Sequence, residues 1–155
     1  MQSDAGDELN AARTRVTLGI VLHLKGETAA ALALHREVEP LFRRAGDRPW
    51  LARVVNNEGV FLGALGRSAE AVLAYEDAAA LHLANADYAM AAASLLNKAE
   101  ALLDSGDAQR GAAQLGEARA LLDAVPSPPA WILSFCDRLA QRAVGQAAPG
   151  SGSAG

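Results

Sequence analysis

Along this chain of 155 residues, positions forty apart carry the same kind of residue three times over, which restricts the possible folds more than any other feature. Leu22, Leu62 and Leu102 coincide when the sequence is slid by forty. So do Gly26, Gly66 and Gly106, then Ala31, Ala71 and Gly111, then Leu41, Leu81 and Leu121. Four candidate helix starts share the register: Asp7, Asp47, Asp87 and Ser127. Their side-chain oxygens can accept a hydrogen bond from an unpaired N–H of a first helical turn. Pro49 and Pro128 fall in such first turns, where a missing N–H costs nothing. The glycines at 26, 66 and 106 stand where a left-handed residue can end one helix before the next begins.

Each unit therefore reads as helix A, tight turn, helix B, short loop. Helix B is expected over about 28–44, 68–84 and 108–124. Apolar residues recur there at helical spacing: Ala31, Leu34, Val38 and Leu41, then Ala71, Tyr75, Ala78 and Leu81, then Leu115, Ala118, Leu121 and Leu122. Strand alternation appears over no useful length, so the class is all-α. Small residues mark the expected helix crossings, with Gly19, Gly59 and Ala99 on helix A facing Ala31, Ala71 and Gly111 on helix B. Pro40, inside the first helix B, is expected to bend or break it. The units run about 7–46, 47–86 and 87–126. A capping helix over 128–144 follows, with Trp131, Ile132, Phe135, Leu139 and Ala143 on one face. Residues 1–6 read as disordered, and 145–155 as a flexible Gly/Ser-rich tail.

Leu18-Gly19, Leu22, the turn glycine and the Ala71, Tyr75, Ala78 run resemble the tetratricopeptide repeat (TPR). The forty-residue period is similar to the longer variety of bacterial signalling proteins and of some eukaryotic cargo adaptors. Pro40–Asp47 and Asn56–Val60 particularly resemble repeats that accompany CHAT-type protease or NTPase-regulator domains in signalling proteins. The resemblance implies a right-handed solenoid of three helical hairpins plus the capping helix, with no catalytic role. Glu58 and Lys98 depart from the family pattern, which has Leu there, and no Trp occupies the early helix-A position.

Composition narrows the function further. A net charge of −4 argues against nucleic acid, which calls for a clustered basic face. No apolar run approaches the roughly 18 residues of a membrane span. The acidic start, Met1–Glu8, lacks the features of an export signal, and the one cysteine, Cys136, suits a reducing compartment. The expected location is the cytoplasm. His23, His35 and His82 share no register, Cys136 has no later histidine to pair with, and no phosphate-binding loop, metal-spaced cluster or nucleophile motif occurs. No enzyme activity, cofactor or metal is expected.

What remains is a surface. In the resemblance, helix A of each unit lines the concave side, and a stripe at helical spacing gives the candidate partner-binding residues. They are Arg13, Val16, Ile20 and His23, then Arg53, Asn56 and Val60, then Leu96 and Glu100. Asn57 and Asn97 adjoin the stripe, as candidates for a ligand role or for hydrogen bonds between repeats. In related repeats an asparagine at the place of Asn56 holds a peptide amide, with a donor and an acceptor to offer. Charge grades along the stripe from Arg13 and Arg53 to Glu100 and Asp104. The expected function is capture of a peptide or helix of a partner protein in this groove. The alternatives are a regulatory segment packing on an effector domain of a larger protein, and self-association through an exposed end of the array. The default oligomeric state is a monomer.

Overall fold

Three aspartates start helices in this chain by the same local device. Asp47, Asp87 and Asp107 accept hydrogen bonds from the backbone N–H of Trp50, Met90 and Arg110 at 3.4, 3.2 and 3.1 Å. The computed structural model describes residues 2–147, and among them all regular structure is helical. The elements are α1 (Gln2–Leu24), α2 (Thr28–Ala45), α3 (Arg48–Ala64), α4 (Ser68–Ala84), α5 (Tyr88–Asp104), α6 (Ala108–Asp123) and α7 (Ala130–Ala147). Gly26, Gly66 and Gly106 close the turns inside the hairpins with φ of 87°, 76° and 83°.

Consecutive helices pack as antiparallel pairs, and the pairs stack. The backbones of α1 and α3, of α3 and α5, and of α5 and α7 also approach one another. Among the described residues, no Cα of α2 lies within 8 Å of α4, nor any of α4 within 8 Å of α6. Helices of the first kind therefore crowd together while those of the second kind splay. The stack curves, with α1, α3 and α5 on its inner side. Three apolar clusters fill the seams. One joins α1 to α3 around Val16, Phe42 and Val54, one centres on Phe61 and Tyr75, and one joins α5, α6 and α7 around Leu96, Leu122 and Ile132.

Five expectations need correction. Residues 2–6, expected to be disordered, form the first turns of α1, so Asp7 lies inside that helix and does not start it. The capping helix starts at Ala130, just past Pro128 and Pro129, because a proline disfavours helical geometry in the residue before it; Ser127 lies in a bend outside the helix and caps nothing. It also runs on to Ala147, through the first residues assigned to the tail; residues 148–155 lie outside the described part. Trp131 is 57% exposed, and Cys136 takes its place in the buried face with Ile132, Leu139 and Ala143. Helix α2 continues through Pro40 without the break that is one of the two outcomes expected there, and the proline sits on its exposed side.

The small-residue crossings are as expected. A Cβ on Gly59 would stand 2.6 Å from the Tyr75 ring, and one on Gly19 would collide with the His35 ring. In the third hairpin, Ala99 of α5 and Leu115 of α6 lie in the same cluster.

Candidate functional site

The inner side of the stack is built from side chains that α3 and α5 project between them. Asn56 of α3 ties the two helices together: its Oδ1 accepts from Ser94 Oγ at 2.9 Å and from Asn97 Nδ2 at 3.3 Å. Among the described residues its own Nδ2 has no intramolecular partner, so both donors of a half-buried amide remain on offer. On either side of this bridge lies a hollow. One, of about 360 Å³, is lined by Pro49, Arg53, Asn56, Asn57, His82, Asp87 and Met90. The other, of about 400 Å³, is bordered by Val60, Ser68, Tyr75, Asn97, Glu100 and Asp104.

The residues picked out in the sequence divide into three groups. Arg53, Asn56, Val60, Asn97 and Glu100 all line these hollows. Arg53 is exposed, with its guanidinium 5.1 Å from the centre of the Trp50 ring, which orients it without neutralising it. Glu100 is half-buried and makes no salt bridge among the described residues. Burial and the neighbouring Asp104 raise its pKa, and Arg142 and Arg138 of α7 only partly offset them.

A second group is engaged within the fold. Arg13 Nη2 donates to Asp47 Oδ2 at 2.9 Å and its Nη1 to Asn10, so it braces the loop into α3. His23 Nδ1 lies 3.0 Å from Thr28 Oγ1, with its ring against Phe61. Asn57 donates to His35 Nε2 at 3.4 Å. That histidine is fully buried with its pKa lowered by desolvation to about 4, so Asn57 serves a neutral ring. Ile20 is half-buried and carries no polar chemistry.

The third group is a correction. Val16 and Leu96 are both 0% exposed, each inside an apolar cluster. They point into seams between helices, not onto the inner surface, and a partner cannot touch them.

Glu58 and Lys98 are the polar residues whose setting the sequence does not reveal. Both occupy seams between hairpins, at 8% and 9% exposure. Lys98 Nζ meets Glu76 Oε1 of α4 at 2.9 Å. Glu58 faces Glu39, Arg36 and Arg43 of α2, and desolvation followed by Glu39 pushes its pKa up to about 8. A larger hollow, of about 510 Å³, opens on the outer side between α4 and the start of α6. Its charged groups are already matched, Glu76 by Lys98 and Asp107 by Arg110, so it offers a partner less than the inner hollows do.

Stacked helical hairpins with one inner wall define the class of helical-repeat solenoids. The tetratricopeptide-repeat family model matches residues 10–84, from within α1 to the end of α4, and supports a tetratricopeptide-repeat protein. Such repeats generally serve protein–protein interaction. No curated protein gives a significant match. None of the described helices is long and apolar enough to cross a membrane, and no cluster of three metal-ligating side chains occurs among the described residues.

Proposed function

We propose that the inner wall formed by α3 and α5 captures a peptide or helix of a partner protein, with Arg53, Asn56, Val60, Asn97 and Glu100 as its contacts. One observation carries this reading: unspent polar capacity collects on that wall. Among the described residues Arg53 has no carboxylate partner, Asn56 keeps its amide N–H groups free, and Glu100 makes no salt bridge. Several neighbouring charges are by contrast spent on one another, as Arg13 with Asp47 and Lys98 with Glu76. Desolvating a group that has no internal partner is repaid only when the ligand supplies one. Opposite charges at the two hollows would set the direction of the bound segment more than its affinity.

The forty-residue register and the bacterial-type segments support a second form of the same reading, in which the wall rests on an effector domain of a larger cytoplasmic signalling protein. Self-association through α7 has less behind it: Trp131, Leu133 and Val144 are exposed, but Ile132, Leu139 and Ala143 of the expected apolar face are buried within the chain.

The test is charge reversal at an exposed position. Arg53→Glu should weaken capture of a native partner at least tenfold, about 1.4 kcal/mol, with helical circular dichroism unchanged. Equal capture by wild type and variant would reject this wall as the binding surface.

A further inference from the structure

The hollow bounded by Val60, Tyr75, Asn97, Glu100 and Asp104 has a chemistry more specific than a general contact surface. Tyr75 is 94% buried, being only 6% exposed, yet its hydroxyl makes no hydrogen bond among the described residues while its side chain lines the hollow. Gly59 leaves the space that the ring occupies, so close that even a methyl group there would displace it. The ring is thus fixed by the α3–α4 crossing and keeps a polar group at the floor of the hollow. Burial, Glu100 and Asp104 together push its pKa up, so the hydroxyl is neutral and keeps its proton.

Around that floor stand two carboxylates and one amide. Asp104 Oδ1 accepts from Arg142 Nη2 at 2.6 Å, leaving Oδ2 without a partner among the described residues. Asn97 spends one of its two amide N–H groups on Asn56, and its carbonyl oxygen is free to accept. Glu100 has no salt bridge. The Tyr75 oxygen accepts as well as donates. Each of these four side chains therefore keeps an oxygen free to accept a hydrogen bond, and the side chains of Val60 and Ala101 supply an apolar wall for a methylene stem.

We infer that this hollow takes the cationic side chain, lysine or arginine, of a peptide bound along the inner wall. The inference rests on the proposed wall and assigns what one of its hollows recognises. Glu100 and Asp104 disfavour an anion, and the two nearby cations are engaged, Arg142 by Asp104 and Arg138 over the Phe135 ring. A neutral apolar side chain would desolvate Glu100 and Tyr75 without replacing their lost water. Arginine has donors enough for all four acceptors and lysine for three of them, and either charge favours the ionised form of Glu100. The charged and titratable groups facing Glu100 are Asp104 on its own helix, Tyr75 on α4, and Arg138 and Arg142 on α7. Because a bound cation lowers the pKa of Glu100 from its raised value, binding releases a proton where that group titrates. Affinity should then fall as the pH is lowered.

The probe is a peptide selected from a random display library on the folded chain. Its affinity is measured by fluorescence anisotropy, with each lysine or arginine replaced in turn by its neutral analogue (acetyl-lysine or citrulline). One replacement should weaken binding at least tenfold to the wild type and less than threefold to Glu100→Gln/Asp104→Asn, whose circular dichroism should match the wild type. If selected peptides bind and lose affinity in Arg53→Glu, but tolerate every neutral replacement, the hollow does not read a cation and the wall reading stands. If the sensitive cation loses as much affinity on the double variant as on the wild type, it binds elsewhere and the inference falls. Failure to select any peptide that Arg53→Glu weakens would overturn both.

Discussion

Helices α3 and α5 hold the same place in successive hairpins, yet their matching residues solve the same problems differently. At one seam position α3 has Glu58 and α5 has Lys98, both almost fully buried. The lysine has an acid of its own, Glu76, at 2.9 Å. The glutamate instead faces an acid on α2, Glu39, whose charge is already held by Arg43 at 2.7 Å. One residue on, α3 has a glycine under the Tyr75 ring where α5 has Ala99. The loops that lead into the two helices differ as well. Gly46 adopts φ 67° before α3, while Ala86 is forced to φ 55° before α5. A repeat thus specifies positions, and each copy must satisfy the local chemistry at its own position. A buried charge is tolerated when it brings a partner; without one it is kept neutral.

The largest effect expected from breaking this comparison lies at Glu58. Its folded pKa of about 8 stands above the ordinary value of 4.5, so the native state binds its proton more tightly than the unfolded chain does. This group's contribution to stability is therefore full below pH 4.5, declines between about 4.5 and 8, and is level above. Glu58→Gln should remove that decline and leave the variant about 2–4 kcal/mol more stable than wild type at alkaline pH. Lys98→Met should stay within about 1 kcal/mol of wild type, because Glu76 is 43% exposed and can rehydrate. Urea unfolding of both variants across the pH range checks the pair. Equal pH profiles for wild type and Glu58→Gln would show that the glutamate is not held neutral.

A smaller effect is expected at the crossing. Gly59→Ala should lose about 1–2 kcal/mol, since overpacking against Tyr75 outweighs the helix-propensity gain of about 1 kcal/mol. Thermal unfolding measures the loss, and a stabilised variant would mean that the ring has room to move. The smallest belongs to the loop. Ala86→Gly should gain about 0.5–1 kcal/mol by relieving a left-handed alanine, read as a rise in urea midpoint. No rise would place the strain elsewhere.

The sequence showed the hairpins well because helix starts, turn glycines and small crossings are local features. Asp47 and Asp87 cap as their register suggests, and Gly59 stays small because a particular ring lies over it. The wall was less legible. An A helix here is covered on several sides, so apolar residues recur around most of its circumference. Helical spacing then cannot separate Val16 and Leu96, which fill seams, from Val60, which borders a hollow. Partners across long sequence separations hid the rest. Arg13 reads as a free cation until Asp47, thirty-four residues away, is seen to hold it. Asn57 similarly belongs to His35, and only the fold reveals that pairing.

The central claim is that partners meet the inner wall of α3 and α5. The most direct measurement is a map of backbone and side-chain amide chemical shifts in the isotope-labelled chain as a library-selected peptide is titrated in. Saturable shifts should gather at Arg53, Asn56, Val60, Asn97 and Glu100, with the exposed faces of α2, α4 and α6 unmoved. Shifts confined to those outer faces or to Trp131, with the wall silent, would contradict the account.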